Sequence, residues 1–242
     1  RSIVGNKFSQ LKCISSDNVV TTREMEERIE KENFNWNEIY VYGQGVEHEK
    51  IEVLNTGIKK HGSYVLNGFK HTSKQEHTHK RNPWNTMIAD PIVVTKDSLY
   101  KSELFLDDNC AELSDHTTGV HIQGMILIEA ARQMMLSVAE KFILPLEMKG
   151  NSYCILNNIS SDFKQFAFPI ETKILHEVKN VTGKNHSYIS TSKFLQNNVI
   201  CCEVKIEHKF FDKEFLLKKE QLLAKKSIEN YIETIPFSNM DF

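Results

Sequence analysis

The chain lacks an excess of charge of either sign: 30 basic and 32 acidic residues leave a formal net charge of -2 over 242 residues. With lysine and glutamate mixed along the whole length and no arginine-rich arm, it has no field suited to wrapping nucleic acid, and no nucleic-acid partner is expected. It also lacks a long apolar run. The most hydrophobic stretch, Met125 to Ala131, contains Glu129 and is followed by Arg132, far short of the ~18 residues of a membrane span, so none is expected. Cysteines are few and unpatterned. Those at 13, 110, 154, 201 and 202 are odd in number and form no C-x-x-C pair, which reads as small core residues in a reducing, cytoplasmic compartment. The first residue is Arg1 rather than methionine, which leaves room for a removed targeting segment. No cofactor is expected.

What is present is a core-forming composition, 40% hydrophobic, enough for one or two globular domains. Thr21 and Glu24 have capping-box spacing and start a short helix to about Lys31, packed by Met25 and Ile29. Ile39–Tyr42 and Ile51–Leu54 read as short strands, and the first third as peripheral. Between Gly62 and Lys80 the chain becomes polar and histidine-rich, and Asn82-Pro83 marks a turn. Residues 1–78 are therefore expected to form an N-terminal extension, with the main domain at 79–212. Two strands, around Met87–Val94 and Ser98–Leu106, precede a long apolar helix from about Ile122 to Phe142, closed by Pro145 and Gly150. Four strand-like segments follow: Tyr153–Asn158, Ile170–Asn180, His186–Leu195 and Val199–Phe211. Residues 213–242 carry a terminal amphipathic helix. The order implies an α+β fold in which an antiparallel sheet curls round one central helix, a hotdog-like arrangement. Such a sheet leaves an edge strand exposed, and a homodimer is expected to cover it.

Glu129 stands out, because a carboxylate in an apolar helix must be paired, hydrogen-bonded or retuned. Helical spacing puts Met125, Glu129, Arg132 and Gln133 on one face. Desolvation there would raise the Glu129 pKa toward neutrality and suit it to general acid–base work, with Gln133 fixing its orientation and His116 or His121 as the second proton-transfer group. The alternative is a structural Glu129–Arg132 ion pair, with the two histidines and Asp115 as ordinary loop residues. Gly124 at the helix start would let a substrate carbonyl approach free N–H groups.

His77 and His79 lie two apart and read as a solvated polar strand rather than metal ligands, since no third ligand stands at telling spacing. Lys80 and Arg81 are candidates for holding a phosphate. Phe163, Phe166 and Phe168 read as packing residues, with the wall of a substrate tunnel as their functional version. Lys218, Lys219, Lys225 and Lys226 read as a solvated helix face that could also meet an acidic partner protein.

The run from His121 to Gln133, H-I-Q-G-M-I-L-I-E-A-A-R-Q, closely resembles the H-x-x-G-M-x-x-x-E-A-A-R-Q segment of the A-factor biosynthesis hotdog family, the γ-butyrolactone autoregulator synthases. His79-Lys80 looks like the H-[KR] element that opens that family's domain. The chain departs from the pattern at Val120 and Gln123, where the family has aspartate and proline, and shows one hotdog repeat where members commonly carry two. A more distant similarity joins the segment to hydroxyacyl-carrier-protein dehydratases, with Glu129 and Gln133 aligned and His116 near the loop histidine. The resemblance implies an enzyme acting on acyl thioesters, with acyl carrier protein or coenzyme A as donor. It would transfer a β-ketoacyl group to a small hydroxylated acceptor, or dehydrate a 3-hydroxyacyl thioester. A non-catalytic acyl-binding or assembly module is the alternative of a different class. Catalytic roles would fall to Glu129, His121, His116 and Gln133, and substrate binding to Gly124, Met125, Arg132 and Lys80.

Overall fold

A computed structural model describes residues 1–34, 37–66, 72–115, 119–181, 183 and 185–234. The first part alternates strand and helix: β1 (Ser2–Val4), α1 (Gln10–Ile14), β2 (Val19–Thr21), α2 (Thr22–Glu30), β3 (Ile39–Tyr42), α3 (Ile51–Lys60) and β4 (Tyr64–Val65). The strands pair in parallel in the order β2-β1-β3-β4. The expected capping box is present on α2: Thr21 accepts from the Glu24 N–H, and the Glu24 side chain accepts from the Thr21 N–H.

Two expectations for this region are corrected. Ile51–Leu54 is the start of a helix, because Ile51, Leu54 and Ile58 recur at helical spacing and are all buried. The short I-E-V-L alternation imitates a strand until the next turn of sequence is counted. Nor is the region a mere periphery. Ile3, Val20, Met25, Tyr40, Ile51 and Ile58 belong to a core cluster of its own.

The second part is built from α4 (Gln75–Thr78), β5 (Ile92–Thr95), β6 (Leu99–Glu103), α5 (Ala111–Asp115), α6 (Gly124–Val138), β7 (Ser152–Phe163), β8 (Lys173–Asn180), β9 (Ser187–Gln196), β10 (Val199–Asp212) and α7 (Lys213–Thr234). Residues 75–78 form a helical turn, not the polar strand expected around His77. The six strands pair antiparallel in the order β5-β6-β8-β9-β10-β7, which leaves β7 on an edge. Register shifts in β10, at Ile200/Cys202 and Glu207/His208, add local twist that helps the sheet curl round α6.

Helix α6 lies against β9 and β10 and carries Ile126, Leu127, Ala130, Ala131, Met134 and Val138 into the larger core. The small Ala130 and Ala131 let the helix approach the sheet closely. The inner face of the sheet alternates as a half-buried strand should, with Ile174, His176 and Val178 on β8 and Tyr188, Ser190, Ser192 and Phe194 on β9 all buried. Past Val138 the helix widens into a π-helical turn, Ala139–Ile143, before Pro145.

One buried side chain ties the two parts together. Gln44, just after β3, donates to the carbonyls of Leu104 and Ile170 at 3.0 and 3.2 Å and accepts from the Leu106 N–H at 2.9 Å. Gly43 is packed against the Pro169 carbonyl, where a Cβ would come within 2.2 Å. The C-terminal helix forms as expected, but of the side chains along it only Leu216 is buried. The lysines at 218, 219, 225 and 226 are solvent-exposed. Cys110, Cys201 and Cys202 are core residues as expected, Cys154 is half-buried, and Cys13 is exposed.

Candidate active site

Helix α6 brings together three of the residues singled out in the sequence. Arg132 grips Glu129 with both arms of its fork, Nε to Oε2 at 2.7 Å and Nη2 to Oε1 at 2.8 Å. Gln133, fully buried, donates to Glu129 Oε1 at 3.0 Å and to the Asn85 carbonyl at 2.9 Å, and its own oxygen accepts from the Met87 N–H at 2.8 Å. That amide therefore sets the Glu129 carboxylate and anchors the 85–87 segment on the helix.

A fourth group completes the clamp. Lys80 Nζ lies 2.8 Å from Glu129 Oε1 and 3.3 Å from Glu112 Oε1. Its charge is already shared by two carboxylates, which speaks against the phosphate contact expected of it. The expected pKa is corrected as well. Burial alone would push the Glu129 carboxyl up, but the hydrogen bonds and charge of Arg132, with the bonds from Lys80 and Gln133, hold it down at about 2. Glu129 is thus an ionised anchor that fixes Arg132 and Lys80, and so acidic a group is a poor general base at neutral pH.

The remaining candidates are placed apart from this clamp. His121 precedes the helix and packs on Phe166, with ring centroids 4.9 Å apart. His116 lies outside the described residues, and so does the side chain of Asp115. Gly124 opens α6, and the space where a Cβ would sit is taken by the Phe163 ring at 2.7 Å rather than left open for a carbonyl. Met125 is 68% exposed. Phe163, Phe166 and Phe168 are exposed and lie outside the packed core.

Sequence reasoning missed a second acid on the same helix. Glu140 is almost wholly buried and accepts from His79 Nε2 at 3.2 Å, from the Gly150 N–H at 2.8 Å and from Ser152 Oγ at 3.2 Å. Burial would raise its pKa, yet the His79 bond, the Gly150 N–H, the His79 charge and Ser152 together lower it. The available signal was its spacing: 140 − 129 is 11 residues, about three helical turns, so the two carboxylates rise from one side of the helix.

Between α6 and β7 lies a cavity of about 300 Å³. Arg132 and His79 give it polar walls, and Met135, Leu136 and Leu156 give it apolar ones. Cys154 also lines it, but burial pushes that thiol up to about 12, so it is no thiolate nucleophile. Among the described residues no group of three or more His, Cys, Asp or Glu side chains is arranged to hold a metal ion. No helix among them is long and apolar enough to cross a membrane.

An antiparallel sheet curled round a buried central helix, with Arg132 of that helix lining a cavity beside the edge strand, defines a hotdog-fold protein. The sequence matches the A-factor biosynthesis hotdog domain over residues 66–212, more than half of the chain, and the protein belongs to that family. Among solved structures the chain is similar to a thioesterase from Haemophilus influenzae at 12% identity, covering 52% of this chain and 79% of that one with a TM-score of 0.39. It is also similar to a putative thioesterase from Lactococcus lactis at 12% identity, covering 54% and 98% with a TM-score of 0.41. A third similarity is to a putative thioesterase from Ralstonia eutropha at 11% identity, covering 49% and 82% with a TM-score of 0.39. No curated protein matches the chain in sequence.

Proposed function

We propose that this protein is an acyl-thioester-processing enzyme that transfers a β-ketoacyl group from an acyl carrier protein or coenzyme A to a small hydroxylated acceptor. The observation that carries the reading is the α6–β7 cavity, where apolar walls suited to an acyl chain stand beside the Arg132 guanidinium. With Nε and Nη2 engaged by Glu129, Arg132 keeps Nη1 for a thioester carbonyl and the oxyanion that develops on it. Glu129, Gln133 and Lys80 act in this reading by holding that guanidinium and the 85–87 segment in place. Met125, His121 and the aromatic residues near Gly124 would belong to the rim of the acyl path. The five cysteines, all unpaired, suit a reducing cytoplasmic setting.

A homodimer completes the proposal. The cavity is bordered by Ser152, Tyr153, Cys154 and Leu156 of the edge strand β7, whose outer side no strand covers among the described residues. Tyr153, Leu156, Ile159 and Phe163 of that strand are each between 38% and 50% exposed. A second copy docked there would wall the cavity and cover the edge.

The test is incubation of the full chain with β-ketoacyl and 3-hydroxyacyl thioesters of carrier protein and of coenzyme A, with a panel of small hydroxylated acceptors, and mass spectrometry of the products. An ester of the acceptor supports transfer. Loss of water from the 3-hydroxyacyl substrate would instead assign dehydration. Binding of both substrates with turnover of neither would leave a non-catalytic acyl-binding module.

A further inference from the structure

We infer that His79, held by the buried carboxylate of Glu140, is the catalytic residue that moves the proton in the α6–β7 cavity. The inference rests on the acyl-transfer reading and deepens it. Four features of the chain converge on this pair.

The first is the carboxylate itself. Glu140 is buried, ionised and fully hydrogen-bonded, and His79 Nε2 is one of its partners at 3.2 Å. A carboxylate at Nε2 favours the tautomer protonated there and leaves the Nδ1 lone pair as the base, the logic by which a buried acid orients a histidine in hydrolases. The second is backbone geometry. His79 has φ 54 and ψ 38, a left-handed conformation at the end of α4 that glycine or asparagine adopts more cheaply. A cap alone needs no imidazole there, and strain of this kind clusters at functional positions.

The third is the helix. Glu140 lies in the π-helical turn Ala139–Ile143, where the wider turn re-aims the side chains, a device frequent at functional sites. The fourth is position. His79 lines the cavity with Arg132, whereas Glu129 is consumed by its clamp and His121 packs on Phe166 before the other end of α6. From Gly124 to Glu140 the helix runs roughly 24 Å at 1.5 Å per residue, so His121 and His79 stand near opposite ends of that helix.

The step balances without any other group. The acceptor's hydroxyl oxygen attacks the thioester carbonyl carbon while its proton passes to His79 Nδ1, and Arg132 faces the oxyanion. Collapse breaks the C–S bond, and the imidazolium returns the proton to the departing sulfur, giving an ester and a free thiol. Glu140 does not touch substrate; it is the positioning residue.

Three variants of the full chain and one titration test this. His79→Asn is expected to lower kcat by about 10²–10⁴-fold with KM for the thioester little changed. Added imidazole is expected to restore turnover to His79→Ala, which a structural role would not allow. Glu140→Gln is expected to lower kcat and to mix the His79 tautomers in nitrogen NMR spectra. Wild-type turnover retained by His79→Asn, or no rescue of a folded His79→Ala, overturns the inference. Should the His79 variants fail to fold, Glu140→Gln decides: unchanged kcat and an unchanged tautomer overturn it. Absence of turnover by wild type would sink the acyl-transfer reading separately. The site is then judged by titrating wild type with an unreactive acyl-pantetheine amide. A shift of the His79 ring resonances supports it, and unmoved resonances overturn it.

Discussion

Lys80 reaches Glu129 across 49 positions of sequence, with Nζ 2.8 Å from Oε1, and so pins the segment before β5 onto the central helix. Its neighbour His79 reaches Glu140 on the same helix. Two adjacent residues thus bind two acids about three turns apart, which fixes both the height and the rotation of α6 against the 79–87 segment. Lys80→Met keeps the aliphatic stem and removes the charge. Arg132 remains to balance Glu129, so the expected loss is about 1–3 kcal/mol, read from urea unfolding. A phosphate-binding role predicts the reverse pattern, with stability unchanged and coenzyme A affinity reduced.

The pH dependence of stability has two sources. His176 is fully buried, bonded through Nδ1 to Ser192 Oγ at 2.8 Å, and its Nε2 has no partner. Burial, with the nearby His208, drives its pKa down to about 3, and burial takes His208 down to about 4. Both are neutral in the fold, while in the unfolded chain they take protons near 6.5. Their contribution is therefore complete above about 6.5 and falls as pH drops toward their folded values. The carboxylates add a second limb: the contribution of Glu129 is present above the ordinary value of 4.5 and lost toward about 2, and Glu140, lowered in the same direction, adds to it. Between the ordinary histidine and carboxylate ranges, each buried histidine contributes a slope approaching about 1.4 kcal/mol per pH unit. His176→Gln should remove one such proton from the slope of unfolding free energy against pH. An unchanged slope would mean that this ring is protonated in the fold.

The architecture was legible where a segment's own periodicity decides it. The apolar run before Phe142 has to be a buried helix, and β8, β9 and β10 alternate along their lengths. Arg132 and Gln133 were legible as partners of Glu129 because i+3 and i+4 neighbours meet on any helix. Lys80 was not, since its contact depends on how a separate segment docks. For the same reason His79 and Glu140, 61 residues apart, could not be paired in advance. Burial was foreseen for Glu129, but the direction of its pKa was not. That direction follows from the number of donors that converge on the carboxylate, and one of these comes from outside the helix.

Gly124 separates a packing role from a catalytic one. A Cβ there would meet the far end of the Phe163 ring, which is half exposed and free to turn away. Gly124→Ala should therefore change stability by less than about 1 kcal/mol, since the helical preference of alanine offsets the cost of moving the ring. Phe163→Ala should make the same substitution neutral or stabilising, a coupling measured in a double-mutant cycle. Lost turnover with unchanged stability would instead return Gly124 to the carbonyl-binding role.

The edge strand supplies the sharpest test of assembly. β7 is 12 residues long, pairs only with β10 among the described residues, and exposes Tyr153, Leu156, Ile159 and Phe163. A long unpaired edge that exposes apolar side chains is a standing template for association, and proteins that stay monomeric protect such edges with charge, proline or a covering element. Here β7 also borders the cavity that holds His79 and Arg132, so the surface that would pair and the surface that would bind substrate adjoin. Ile159→Lys places a charge in that edge without touching the cavity lining. Light scattering should find a dimer for wild type and a monomer for the variant. Thioester turnover should fall with dimerisation, since an open cavity admits water to the thioester and loses one wall of the acyl path. A wild-type monomer at micromolar concentration would refute the dimer, and a monomeric variant with full turnover would place the complete site within one chain.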